Sequence, residues 1–258
     1  MSSPVPLPAA FFGAPLAHRA LHDRALRRPE NSRAAVRAAL AAGYGIEIDL
    51  QLSADGQAMV FHDEELDRLT AETGPVHSRS AAELGRVVLT DSDEGIPTLT
   101  EILLLVQGRV PLLIEIKDQT LTMSPTDGRL EAATAAALAG YRGPVAVMSF
   151  NPHAIARMQA LAPTLPRGLT TSAYDPADWA PLDPAICARL REIPDFTATG
   201  SSFISHEAAD LARPRVAELK SAGVPILCWT IRSAEQEAAA RRVARNVTFE
   251  GYAAAIPA

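Results

Sequence analysis

Cysteine is almost missing from this chain: two residues, Cys187 and Cys228, in 258. Two are too few for a disulfide framework, and neither stands in a metal-type spacing, so a reducing compartment is the simpler setting. Positive charge is also short. Twenty-four Lys and Arg face thirty Asp and Glu, a formal net charge of −6. That balance gives no electrostatic ground for a nucleic-acid partner or an anionic membrane, and leaves room only for a local basic pocket. Long apolar runs are absent too. The best candidate, "EILLLVQGRVPLLIEIK", is interrupted by Arg109 and Pro111 and cannot span a bilayer. The first twenty residues lack a basic n-region and carry three early prolines, which makes a poor signal peptide. No internal repeat or low-complexity segment is evident. The expectation is a cytoplasmic protein without stable membrane insertion.

What is present is a rhythm. Hydrophobic residues make up 48% of the chain, ordinary for a globular protein, and they fall in short runs separated by alanine-rich helical stretches. Strands are expected near Leu16–Arg19, Gly45–Gln51, Leu112–Lys117, Val145–Ser149, Gly168–Thr171, Ser202–Ser205, Pro225–Thr230 and Val247–Glu250. Helices are expected in "PENSRAAVRAALAAG", "DGRLEAATAAALAGY", "NPHAIARMQALA", "HEAADLARPRVAELKSAG" and "SAEQEAAARRVAR", several with a cap or a terminal glycine. Strands separated by helices imply parallel βα units, and about eight units in ~250 residues is the size of a TIM (β/α)8 barrel. One domain over 1–258 is expected, with an inserted segment at 52–110 after the second strand. There a polar stretch and a short strand ending at His62 replace the usual helix. Residues 172–200 read as a long proline-rich loop with one short helix.

Two strands carry charge where barrel strands should be greasy. In "GIEIDLQ" Glu47 and Asp49 share one face, and in "PLLIEIKD" Glu115 and Lys117 share one face with Leu113. Barrel strands are buried on both sides, so inward charge is costly unless paired or metal-bound. Glu47, Asp49 and Glu115 would form an all-oxygen site for one divalent cation, Mg²⁺ or Ca²⁺. His18 and Arg19 end the first strand, and His62 ends the short strand of the insertion, all directed to the same mouth. A histidine pair can serve as general base and general acid near neutral pH. His22, His77, His153 and His206 fall in loops or helix starts and read as structural. Three carboxylates, a divalent ion, Arg19 and Lys117 sum to about +1, which a mono-anionic phosphodiester would neutralise. Without the ion the sum is −1, and at about 5 Å and an effective dielectric of ~20 each unit charge matters by roughly 3 kcal/mol.

The stretches "AHR", "PENS", "GIEIDLQLSADGQAMVFHDEELDRLTAETGPV", "IPTLTEIL" and "PLLIEIK" resemble, in order and spacing, the glycerophosphodiester phosphodiesterase family. The match is close over Leu16–Lys117 and looser beyond, in "VAVMSFNPHAI" and "PILCWTI". The resemblance implies a TIM barrel with an inserted subdomain and metal-dependent cleavage of a glycerophosphodiester to sn-glycerol 3-phosphate and an alcohol. It assigns His18 and His62 as the catalytic pair, Glu47, Asp49 and Glu115 as metal ligands, and Arg19 and Lys117 as phosphate contacts. It also places Glu30 near the site, and Phe150 and Trp229 at apolar positions around the substrate.

Two departures stand out. The family usually has glycine after His-Arg, where this chain has Ala20, and its last strand commonly ends in a Thr-Asp-type sequence, where this chain reads "NVTFEGYAAAIP". Glu250 in that stretch is a further candidate site residue. The competing expectations are a lysophospholipase D or sphingomyelinase D-like lipid phosphodiesterase, and a catalytically silent glycerophosphate-binding barrel.

Overall fold

Every residue of Gly45–Leu52 is buried, the charged ones included, which only a sheet covered on both faces allows. The computed structural model describes residues 4–257. Among them the strands are β1 (Leu16–Ala17), β2 (Gly45–Leu52), β3 (Ala58–Val60), β4 (Leu112–Ile116), β5 (Val145–Ser149), β6 (Arg167–Thr171), β7 (Phe203–Glu207), β8 (Ile226–Ile231) and β9 (Asn246–Phe249). All but β3 run parallel, and β1 pairs with both β2 and β9, so the sheet closes on itself. The helices are α1 (Arg33–Ala42), α2 (Ala81–Leu84), α3 (Leu99–Val106), α4 (Arg129–Leu138), α5 (Pro152–Leu161), α6 (Pro184–Arg191), α7 (Pro214–Ser221) and α8 (Ala234–Ala240). The architecture is a TIM (β/α)8 barrel, as the alternation of strands and helices leads one to expect.

The barrel's interior is filled from below. Leu16, Leu113, Ala146, Met148, Phe203 and Leu227 form one cluster, joined by Leu7 and Phe11 from the segment that precedes β1. Asn246 anchors that segment by donating to the carbonyls of Phe11 and Ala14, each at 2.8 Å. Gly168 is glycine for a reason of space: a Cβ there would lie 2.6 Å from the Phe203 ring. With the lower barrel packed solid, the charged side chains that face the barrel's interior gather toward the carboxyl ends of β2 and β4.

Between β2 and β4 the chain builds a small unit of its own. Strand β3 pairs antiparallel with the end of β2, matching Leu50 with Val60. A second core of Met59, Phe61, Leu66, Leu69, Val76, Leu84, Val87, Leu89 and Ile96 closes behind it. Helix α3 then takes a place in the outer helix layer, against α1 and α4, and Thr98 and Glu101 cap its start reciprocally.

Several local expectations differ from the structure: the short strand of the insertion, β3, ends at Val60, two residues before His62. β1 stops at Ala17 instead of Arg19, because Arg19 and Ala20 turn to φ +51° and +63° and leave the extended region. The continuous helix expected over 206–223 divides into a 3₁₀ turn at Ala208–Asp210 and α7, which begins at Pro214, a residue suited to a helix start and not its interior. His206 consequently lies in β7, fully buried, with its ring bonded to Thr171 and Asp210.

Candidate active site

The parallel register of β2 and β4 sets Asp49 opposite Glu115, and the period of two puts Glu47 on the same face one step below. All three carboxylates are buried, and oxygens from each lie within 4.8 Å of one another. Lys117 reaches back over them, its Nζ 2.8 Å from Asp49 and 2.6 Å from Glu115. Arg19 donates its backbone N–H to Glu47 at 2.9 Å and sets its guanidinium 3.8 Å from Asp49. Asn31 completes the surroundings, giving its amide N–H to Asp49 at 2.9 Å.

Glu47 and Asp49 are pushed in opposite directions. Burial pushes the Glu47 carboxyl well above its ordinary value, and the charges of Asp49 and Glu115 push the same way. Burial acts likewise on Asp49, but Lys117, His62 and Arg19 outweigh it and hold that carboxyl far below. Lys117 is held protonated, since Asp49 and Glu115 outweigh the burial that works against its charge. Three clustered hard-oxygen donors with one left short of positive charge fit a hard divalent cation, Mg²⁺ or Ca²⁺. No metal-type cluster other than Glu47, Asp49 and Glu115 occurs among the described residues.

His18 and His62 both line the cavity above this cluster, together with Arg19, Lys117, Met148, Phe150, Trp229, Arg232 and Thr248; its volume is about 150 Å³. Each histidine has a carboxylate on its Nδ1. His62 is 2.7 Å from Asp63, and His18 is 2.6 Å from Glu250. Burial lowers the His18 pKa, Glu250 opposes that shift, and Arg19 adds to it. Phe150 and Trp229 stand edge to face at 5.5 Å, and the Trp229 indole N–H donates to the Ser205 carbonyl at 3.1 Å. A larger hollow of about 510 Å³ lies at the opposite end of the barrel, around Phe12, Lys220, Pro225 and Arg245, but no histidine or carboxylate lines it.

Every candidate from the sequence therefore falls at one end of the barrel. Glu30 lies just outside the cavity, accepting from Arg19 at 2.7 Å, and Glu250 behind His18. Sequence reasoning missed Asn31, Asp63, Arg68 and Arg232. Arg68 forks between Asp63 (2.6 and 2.8 Å) and Glu30 (2.8 and 2.9 Å), tying the partner of His62 to the partner of Arg19. The available signal was adjacency: Asp63 follows His62 directly, and Asn31 follows Glu30.

Known proteins resemble this chain in both sequence and fold. Residues 18–248 match the model of the Glycerophosphoryl diester phosphodiesterase family. A glycerophosphodiester phosphodiesterase of Caldanaerobacter subterraneus is 32% identical over 149 residues, 55% of this chain and 60% of that one. The match thus spans less than two thirds of that relative's length. YhdW of Bacillus subtilis is 26% identical over 241 residues, 90% of each chain. Among solved structures, an Oleispira antarctica phosphodiesterase in complex with the product sn-glycerol-3-phosphate has a TM-score of 0.72 at 24% identity, covering 91% of both chains. A glycerophosphodiester phosphodiesterase from Agrobacterium tumefaciens has a TM-score of 0.68 at 24% identity, covering 92% of this chain and 96% of that one. At such identities the structural likeness speaks for the fold.

Proposed function

The chain belongs to the Glycerophosphoryl diester phosphodiesterase family, and from that membership we propose that it hydrolyses glycerophosphodiesters to sn-glycerol 3-phosphate and an alcohol, with His18 and His62 as its acid/base pair. The observation that carries the reading is the meeting of two carboxylate-backed histidines over a buried carboxylate triad in one cavity. A divalent cation held by Glu47, Asp49 and Glu115 would supply charge neutralisation for the phosphodiester and order to the glycerol hydroxyls.

The chain's own residues account for the proton transfers. His62 takes the proton of the glycerol 2-hydroxyl, and that oxygen bonds to phosphorus. The bond from phosphorus to the alcohol oxygen breaks, and His18 gives that oxygen a proton. In the second half the roles reverse: His18 takes a proton from water, the water oxygen opens the cyclic phosphate, and His62 returns a proton to the 2-oxygen. Arg19 and Lys117 bring fixed positive charge to the phosphoryl oxygens. Glu30 steadies Arg19, and Phe150 with Trp229 provides an apolar wall against the glycerol or the departing group. In this reading residues 1–258 work as one catalytic domain and the segment 52–110 is its insertion, delivering His62 to the mouth. No helix among the described residues is long and apolar enough to cross a membrane. Both cysteines are buried and unpaired.

The test is release of glycerol 3-phosphate from glycerophosphocholine and glycerophosphoethanolamine under Mg²⁺, Ca²⁺ or chelator. His18→Ala and His62→Ala should each lower kcat by about 10²-fold or more, the usual worth of a positioned acid or base. Turnover that survives both substitutions sinks the mechanism. Absence of turnover on either diester, with release of choline from lysophosphatidylcholine or sphingomyelin, would replace this substrate class with a lipid one.

A further inference from the structure

Glu250 has no part in the reaction just described, yet it is tied to His18 more tightly than any other side chain. β9 pairs with β1, and the Phe249 carbonyl accepts the His18 backbone N–H at 2.9 Å. That pairing delivers the next residue, Glu250, to the edge of the His18 ring. The Glu250 backbone N–H is itself fixed on the Ile231 carbonyl at 2.9 Å. Its two carboxylate oxygens divide their work. Oε2 accepts from His18 Nδ1 at 2.6 Å and lies 3.5 Å from His22 Nε2. Oε1 accepts from Arg232 Nε at 2.8 Å and from its terminal nitrogen at 2.7 Å.

We propose that Glu250 is a positioning residue for catalysis: it accepts the hydrogen bond of the His18 Nδ1–H, fixes the ring's tautomer, and leaves Nε2 as the nitrogen that meets the substrate, while Arg232 holds the carboxylate in place. This rests on the phosphodiesterase reading for its catalytic consequence, not for its geometry. A carboxylate acceptor can bond Nδ1 only if that nitrogen carries the proton, so in neutral His18 the base must be Nε2. An exposed Glu–Arg pair alone is worth little; Arg232 is 62% exposed, but Glu250 is only 19% exposed and its inner oxygen is committed to the ring.

The other end of the cavity repeats the arrangement. His62 Nδ1 faces Asp63, and Arg68 grips Asp63 through two hydrogen bonds. Two arginine–carboxylate–histidine chains therefore converge on the same space, one from the insertion and one from the ends of β8 and β9. The hydrogen bond from His18, with His22 close by, keeps the Glu250 carboxyl ionised, against the pull of its partial burial. The charged groups around His18 are Glu250 beyond β9, Arg232 beyond β8, Arg19 and His22 in the loop after β1, and Asp49 in β2. Removing the negative member closest to the ring makes the imidazolium harder to form.

The experiment compares wild type with Glu250→Gln, Glu250→Asp and Arg232→Gln for kcat, KM and pH–rate profile. In parallel, the ring nitrogens of His18 are titrated by NMR with ¹⁵N-histidine, using His18→Ala for assignment. Glu250→Gln should lower kcat about 10-fold or more, within the 10²–10⁴ an acid/base group supplies, with KM little changed. The limb of the profile set by His18 should move to lower pH, and the same shift should appear in its NMR titration. Glu250→Asp should recover the titration in part, and Arg232→Gln should show a smaller effect in the same direction. A Glu250→Gln enzyme with wild-type kcat and pH profile overturns the proposal. So does one that loses activity while His18 titrates as before. If the wild type turns over no glycerophosphodiester, the functional reading fails, and the NMR titration still decides whether Glu250 governs His18.

Discussion

Asn31 stands at φ +58°, in the left-handed region, with only 1% of its surface exposed. Its backbone N–H donates to the Arg19 carbonyl at 2.8 Å, its side-chain amide donates to Asp49, and its amide oxygen accepts the Asp49 N–H at 3.2 Å. Asparagine suits the place because it tolerates this backbone and offers both a donor and an acceptor. Asn31→Ala leaves a buried carboxylate short of one donor, costing about 1–3 kcal/mol, and adds roughly 1 kcal/mol for a Cβ residue at positive φ without a compensating bond. Asn31→Gly should recover about that last 1 kcal/mol and nothing else. Urea unfolding of the three proteins checks the split; equal losses for Ala and Gly would remove the backbone part. Beyond its place next to Glu30, the sequence gives this residue little away. Glu47, Asp49 and Glu115 betray themselves as charge inside an apolar period of two, whereas an amide at a helix entrance breaks no pattern and reads as a cap.

At the level of elements, the parts that follow from one residue's neighbours were legible. β2, β4 and β5 lie where period-two patterns put them, and α1 and α5 start at Ser32 and Asn151, whose side chains accept backbone N–H groups. The limits of β1 were not, because Ala20 gives no local sign of the φ +63° turn that ends the strand. Nor was all of the insertion's job, of which only the delivery of His62 was legible. Its second core holds the backbone that carries His62, and Arg68 then spans to Glu30 on the approach to α1. Arg68 is 47% exposed, so its bridges should contribute only about 1 kcal/mol or less to stability. Its effect on activity should be larger, since two forked contacts orient the carboxylates behind His62 and Arg19 at once. Arg68→Ala should lower kcat about 10-fold, a share of the acid/base contribution, and barely move the unfolding midpoint. Arg68→Lys should recover little, because an ammonium cannot reproduce the planar fork. Full recovery with lysine would mean that charge alone, not orientation, is what Arg68 provides.

For the whole molecule, closure of the barrel is what turns scattered residues into a site. His18 and Glu250 are 232 positions apart and meet only because β1 pairs with β9. Strand order made the common mouth legible, but not which side chains would touch, since that depends on register and side-chain reach across the closing seam. Closure also concentrates charge. Glu47, Asp49 and Glu115 face only Lys117 and Arg19 as close cations, a local balance of about −1 that the fold must tolerate. Like charges crowded in a buried place oppose folding, and a divalent cation bound by the native state alone relieves them. Chelator-treated protein should therefore gain stability when Mg²⁺ or Ca²⁺ is added. At 100 times the dissociation constant the gain is about 2.7 kcal/mol, or roughly 5–10 °C in the unfolding midpoint for a chain of this size. Glu47→Gln removes one of the three charges, so without cation its midpoint should equal or exceed that of the wild type, and the cation-dependent rise should shrink. Calorimetry with both ions, on wild type and variant, measures these shifts directly. An equal rise in the two proteins would place the stabilising cation somewhere other than the carboxylates of β2 and β4.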